Sequence, residues 1–336
     1  MPRLFKKYPK LKTVARWTGR FFAFLGTTCL SILILLVGIT YVLCKGPSPT
    51  ARDKFTTTMM ETSALKFLPG LFLSQQEISS ILEDNSVSEN EEDITVDTPF
   101  EDRNEDIPKN TIEVIDIAGP TYTGKLMIVH DPSRVSVATI PYFSEEKDGY
   151  TVQMFAKKNG AIAAINGGGF LDTNGFGSGG TPTGIVIKNS KLIYGSPSTS
   201  SSIIGFDNND HLIVGRMTGA QALERNVRDA VSFGPAFIVN GQPMEVSGTG
   251  GGVNPRTVVG QRADGAVLLL VIDGRQAHSL GATYKDCIQV MLQYGAVNAG
   301  NLDGGSSTAM FYNGEIINSC VSLYGSRYIP TAFIVK

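Results

Sequence analysis

With 336 residues and a formal net charge of −2, the chain is long enough for about two domains and lacks the overall basicity of a nucleic-acid-binding protein. Its 37 glycines suit a loop-rich β-containing fold better than a helical one. The charge is unevenly spread: Arg3, Lys6, Lys7, Lys10, Lys12, Arg16 and Arg20 crowd the N-terminus with no acid among them.

Phe21 to Cys44 contains no charged residue. A bilayer core needs about 20 apolar helical residues, so the stretch is long enough to cross one. It also exceeds the ~7–15-residue apolar region of a removable signal, and no Ala-x-Ala site follows it. The expectation is a basic cytoplasmic tail over residues 1–20, a signal anchor over 21–44 and the rest of the chain outside the cell membrane. A cleaved secretory signal is the alternative. Residues 45–110 read as a juxtamembrane segment and linker. Gly46-Pro47-Ser48-Pro49 breaks the helix, and Leu65 to Leu73 is apolar around Pro69-Gly70. Ser74 and Glu77 form a capping box for a short helix ending near Leu82. Glu83 to Asp106 is acidic and poor in apolar residues, which predicts a flexible spacer.

A folded domain is expected over residues 111–336. Ile112 to Ile117 and Lys125 to His130 read as strands. Thr151 to Lys158 reads as a helix stopped at Asn159-Gly160, and Ala161 to Ile165 as a buried strand. Hairpins are signalled at Asn189-Ser190, between Phe206 and Leu212, at Asn240-Gly241, at Ala263-Asp264-Gly265 and at Asn313-Gly314. Gly219 to Asn226 and Thr283 to Tyr294 read as helices, and Tyr328 to Val335 as a closing strand. Many hairpins with few helices predict an α+β class: a mixed, mostly antiparallel sheet domain behind one membrane helix and an acidic stalk.

Gly175 to Gly180 formally matches G-x-G-x-x-G, but no helix opens on it, so a dinucleotide site is rejected. Ser247 to Gly252 is a second glycine-rich loop, a lid or a plain surface loop. His130 and His211 read as structural, and His278 follows a buried strand in a polar cluster. The histidines show no metal-ligand spacing, and no cofactor is called for. G-x-S-x-G and H-E-x-x-H are both absent. Cys287 and Cys320 form a disulfide or remain as two buried thiols.

The richest stretch is Asn298 to Met310. A buried strand breaks at Asp303-Gly304-Gly305, and Ser306, Ser307 and Thr308 follow at once. A carboxylate, exposed amides and hydroxyls at one strand end suit an oxygen-rich substrate. Asp273 ends another apolar strand ahead of a glycine. Two carboxylates are the usual equipment of glycoside hydrolysis. Arg256 and Arg275 carry the planar forks that match phosphate oxygens, or pair with acids.

Together, Ala164-Ile165-Asn166-Gly167-Gly168-Gly169-Phe170, Asn254-Pro255-Arg256-Thr257 with Gly260, Val271 to Arg275, Ser279-Leu280-Gly281, Asn298 to Ser307, Asn313-Gly314 and Asn318 resemble the phosphodiester glycosidase family. The resemblance covers about residues 111–336. Gly169 departs from it, since a bulky aromatic is more usual there. The family includes an enzyme that removes N-acetylglucosamine from a phosphodiester, and bacterial envelope proteins. The resemblance implies cleavage of a sugar–phosphate bond at the anomeric carbon. It places Asp303 there as nucleophile or base, with Asp273 as the second carboxylate. Arg256 and Arg275 would hold phosphate. Asn166, Gly167, Asn301, Gly304, Gly305, Ser306 and Ser307 would line the substrate, and His278, by its place in a polar cluster after a buried strand, is a further substrate-binding candidate. The expected partner is a carbohydrate phosphodiester of the cell envelope, with no nucleic acid. The rival is a catalytically silent glycan-binding or exopolysaccharide-assembly module, which would not need both acids.

Overall fold

The structure is a computed structural model that describes residues 9–62, 64–88, 94–95, 99–101, 107–172, 178–321 and 326–336, with side chains from residue 17 onward. Gly175-Phe176-Gly177, the first part of the rejected nucleotide motif, lies outside the described residues.

The first helix, α1 (Pro9–Lys45), runs 37 residues. Its segment Trp17–Lys45 contains an 18-residue window of mean hydropathy 2.4, none of which is buried inside the protein. The hydroxyls that would be costly in an apolar medium return to the helix's own carbonyls: Thr27 and Thr28 donate to Phe24, and Thr40 to Leu36. The helix ends at Gly46-Pro47. Ser48 then caps α2 (Pro49–Met60), whose first-turn proline costs no hydrogen bond. Ser74 and Glu77 form the expected capping box of α3 (Gln75–Asp84). Cys44 from α1 packs with Leu73, Ile78 and Ile81, and the Tyr41 ring meets Phe72 edge-on at 5.4 Å.

From residue 112 the chain is mostly strand. In order come β1 (Ile112–Ala118), β2 (Thr123–Val129), β3 (Val135–Thr139), α4 (Val152–Asn159), β4 (Ala163–Asn166), β5 (Val186–Lys188), β6 (Lys191–Tyr194), β7 (Ser200–Asp207), β8 (Leu212–Thr218), α5 (Gly219–Glu224) and β9 (Val227–Ser232). Then follow β10 (Ala236–Val239), β11 (Gln242–Pro243), β12 (Arg256–Arg262), β13 (Val267–Ile272), α6 (Tyr284–Gln293), β14 (Ala296–Leu302), β15 (Met310–Tyr312), β16 (Glu315–Ile316) and β17 (Thr331–Val335). The hairpin turns at Asn240-Gly241 and Asn313-Gly314 have positive φ at both central residues, the backbone that matches strand twist and that Asn-Gly tolerates.

Among the described residues the strands form three antiparallel sheets, ordered β1-β2-β13-β12-β14-β10-β11, β16-β15-β4-β17-β3 and β6-β5-β9-β7-β8. One core sits where the three meet, with Met127, Ile165, Phe206, Val231, Leu269 and Phe333. The unbroken apolar run of β13 needs cover on both faces. Its Leu269 and Val271 enter that shared core, while Leu268, Leu270 and Ile272 turn to a second core under α6. The fold is the expected α+β class. Cys287 is a buried free thiol whose pKa burial pushes up to about 12, and Cys320 is also free.

The expected spacer lies against the domain at its described positions. Val87 bridges Val246, Thr95 exchanges a hydrogen bond with Val214, and the Phe100 ring packs 4.3 Å from His211. A few residues in an acidic stretch thus suffice to seat those positions. The glycine-rich loop at 247–252 is clasped by the helical lobe: Asn85 accepts from Gly251 and Thr249, and Thr58 accepts from Val253. A Cβ on Gly252 would stand 2.6 Å from the Thr58 amide nitrogen, so glycine is required for that approach.

Candidate active site

The site lies where β14 leaves the seven-stranded sheet and the chain crosses to β15 in the neighbouring sheet. Asp303 follows β14 directly, and a single 3-10 turn, Gly305–Ser307, leads on towards β15. Asn166, at the end of β4 and fully buried, staples this crossing. Its side-chain amide donates to the Asp303 carbonyl at 2.6 Å, and its oxygen accepts from Thr257 and from the Ala309 amide. The Asp303 amide donates to Gly167, and the Gly305 amide to Pro255. Gly167 has no room for a side chain, because a Cβ would meet Thr331 at 2.6 Å. Asn166→Ala should therefore loosen this crossing and cost about 2 kcal/mol of unfolding free energy, because it strands the buried Thr257 hydroxyl and Ala309 amide. Urea unfolding of the variant would check it.

Asp303 lines a small open cleft of about 350 Å³, mouth included, with Glu61, Phe170, Asp172, Arg275, Gly304, Gly305, Ser306, Ser307 and Arg327. Burial pushes its carboxyl up to about 6, against the pull of the Ser307 hydroxyl, the Arg327 guanidinium and the Gly304 amide. Its Oδ2 is buried with no hydrogen-bond partner. A buried carboxyl oxygen left unpaired is costly, and functional groups are where such a cost is found.

Two guanidiniums share the cleft. Arg275 has φ 56, in the left-handed region a non-glycine residue seldom adopts. Its Nη2 donates to Asn254 Oδ1 at 2.8 Å and to the Glu61 carbonyl at 3.3 Å. Arg327 stacks 4.9 Å over Phe170, pairs with Asp172 and donates to Ser306 Oγ. Arg256 is held differently. It is 3 % exposed, and it donates to Ala282, Gly251, Gly252 and the Glu61 carboxylate. Those bonds commit its fork to the fold, and it does not line the cleft.

The sequence-derived set divides. Arg275, Asp303, Gly304, Gly305, Ser306 and Ser307 line one cleft. Asn166 and Gly167 support it from behind. Asp273 is buried away from the lining, where it accepts from Asn318 and the Ser319 amide. Burial raises its pKa, with those two bonds working against the rise. Asn301 is 1 % exposed and donates to Gly234, and His278 is exposed outside the cleft. Glu61, Asp172 and Arg327 escaped the sequence reading. Asp172, two residues beyond the Asn166–Phe170 motif, carried a local signal; Glu61 and Arg327 carried none. At position 169 a Cβ would stand 2.9 Å from the Phe233 ring, so an aromatic from another strand end fills the space next to this glycine. A larger hollow lies beneath residues 99–101, beside His211 and Gln261. The Gln261 side chain there is spent on Leu212, Asp210 and Gly265, so the hollow offers less free chemistry.

Residues 159–336 match the family model for phosphodiester glycosidase, just over half of the chain. The chain belongs to the phosphodiester glycosidase family. A curated relative, the SPbeta prophage-derived uncharacterized protein YomE of Bacillus subtilis (strain 168), is 28% identical over 179 residues, half of this chain. The chain spans 27% of that relative's length. Among solved structures, the zebrafish N-acetylglucosamine-1-phosphodiester alpha-N-acetylglucosaminidase catalytic domain, auto-inhibited by its pro-peptide, is 22% identical with a TM-score of 0.56, covering 70% of this chain and 86% of that one. A putative exported protein of Burkholderia pseudomallei is 16% identical with a TM-score of 0.50, covering 64% of this chain and 74% of that one. At such identities the two structures show a shared fold. The matched residues of this family member contain all of the cleft except Glu61, which comes from the helical lobe.

Proposed function

We propose that the chain is a membrane-anchored, extracytoplasmic hydrolase that cleaves a sugar-1-phosphodiester, with α1 as its uncleaved anchor. The observation that carries the proposal is that Asp303, whose buried Oδ2 has no hydrogen-bond partner, lines the same cleft as Arg275 and Arg327. A glycosyl phosphodiester needs a carboxylate at the anomeric carbon, where positive charge develops, and cations at the departing phosphate. Phosphate leaves readily, so demand for a strong general acid is low. That fits a site with Asp303 as its central carboxylate and Asp273 withdrawn into the fold. Arg275 and Arg327 hold the phosphate, and the Ser306 and Ser307 hydroxyls and Gly305 backbone face the substrate's oxygens. Arg256 and Asn166 position the site.

The full chain in detergent should release reducing sugar from a synthetic sugar-1-phosphodiester. Arg275→Ala and Arg327→Ala should each lower kcat/KM about 10²-fold, the usual loss on removing one charge-stabilising donor. A chain that binds the compound without turning it over would instead be a glycan-binding module.

A further inference from the structure

The site is rigidly tied to the end of the membrane helix. Between Lys45 and Glu61 in the cleft wall stand only the joint Gly46–Ser48 and the 12 residues of α2. The helix is about 18 Å long. The joint adds at most about 10 Å when extended. Glu61 therefore lies within about 30 Å of the membrane helix's end. Both ends of this strut are fixed. At the bilayer end, Cys44 is buried among Leu73, Ile78 and Ile81, and Lys45 pairs with Glu77 at 3.0 Å. At the cleft end, Thr57 bonds Thr249 at 3.1 Å, and the Glu61 carboxylate takes Arg256 and Asn254, each at 2.8 Å, and Tyr284 at 3.2 Å. A free stalk over residues 45–110 would instead have let the site range over about 200 Å.

The chain returning from the cleft carries a second mark of the bilayer. Leu65, Phe67 and Leu71 are exposed, and Phe72 beside them rests on Tyr41 in the last turns of α1. Exposed apolar side chains continuous with a membrane helix's end, interleaved with Lys66, suit the headgroup–acyl boundary.

Resting on the proposed activity and anchor, we infer that the substrate is held by the same bilayer: a sugar joined through a phosphodiester to a lipid. A site confined to that thin shell meets lipid-borne headgroups at a high effective concentration and does not reach polymer extended far from the surface. In the step, water adds its oxygen to the anomeric carbon and the C–O bond to phosphate breaks. The bonding pair leaves with the phosphate oxygen, which takes up a proton. Free sugar departs, and a lipid phosphomonoester stays in the membrane.

The test uses the full chain in phosphatidylcholine vesicles and one glycosyl phosphodiester in three forms: on a lipid in the enzyme's vesicles, on a lipid in separate vesicles, and on a short water-soluble alcohol. The same-vesicle form should be cleaved at least tenfold faster than either other form at equal bulk concentration. A variant with about 60 Gly/Ser residues inserted after Gly46, a coil of roughly 40 Å mean span, and with Tyr41→Ala, Cys44→Asp and Lys45→Glu to open the clasp between α1 and α3, should gain cleavage across vesicles. Equal rates for the wild type within and across vesicles, or a soluble form cleaved as fast as the same-vesicle form, would overturn the inference while leaving the activity standing. Absence of turnover in all three forms would remove both.

Discussion

Asp303→Asn is expected to lower kcat about 10³-fold, within the usual range for removal of a positioned acid or base. Asparagine keeps the shape and the Ser307 contact, so the loss would report charge and not folding. In the proposed role the ionised carboxylate is the working form, so wild-type kcat/KM should rise as pH climbs through about 6, where burial sets its pKa. That limb should vanish in the variant. Stability should move the other way. The folded pKa, about 6, exceeds the ordinary 3.8, so the folded state holds a proton that the unfolded state gives up. This contribution is complete below about pH 4 and is lost as pH rises through 6, on the order of 3 kcal/mol. Asp303→Asn should thus match the wild type's melting temperature at pH 4 and exceed it at pH 7.5. A variant with near-parental turnover would take Asp303 out of the chemistry.

Glu61→Ala should cost about 3 kcal/mol of unfolding free energy, measured by urea titration, and most of the activity. Its partner Arg256 is almost fully buried, so deletion strands a cation where water scarcely reaches. Glu61 itself is 30% exposed, which sets the expectation at the lower end of the range for broken buried pairs. Burial raises its pKa, and Arg256 pulls it down. Activity should fall because the Glu61 carbonyl holds Arg275 Nη2, and a loosened α2 frees that fork. Higher turnover with unchanged stability would mean the carboxylate covers the cleft and does not brace it.

Much of the fold was legible from local pattern. Unbroken apolar runs such as Val267–Ile272 announce strands covered on both faces, and Asn-Gly pairs announce their hairpins. The Ser74 cap stands where hydroxyl and acid spacing put it. Asp303-Gly304-Gly305 was legible as a site candidate because a carboxylate, two glycines and three hydroxyls at a strand end seldom gather for a turn alone. Asp273 carries the same local signature, yet it lies outside the cleft lining and its Oδ1 accepts from both Asn318 and Ser319. A strand-end aspartate looks the same in sequence whether it faces a cleft or a neighbouring loop.

The sequence by itself determined the apolar helix, the strands and their turns, the family and the aspartate at the cleft's centre. Each of these is written in residues adjacent along the chain. Only the tertiary structure decided which charges share the cleft: Arg327 replaced Arg256 beside Arg275, and Glu61 arrived from a helix outside the matched family region. Those partners stand up to 266 positions apart in number, Glu61 to Arg327, and are joined by packing between separate sheets and a helical lobe. Side-chain direction at that range depends on how whole layers stack, and neither periodicity nor spacing encodes it.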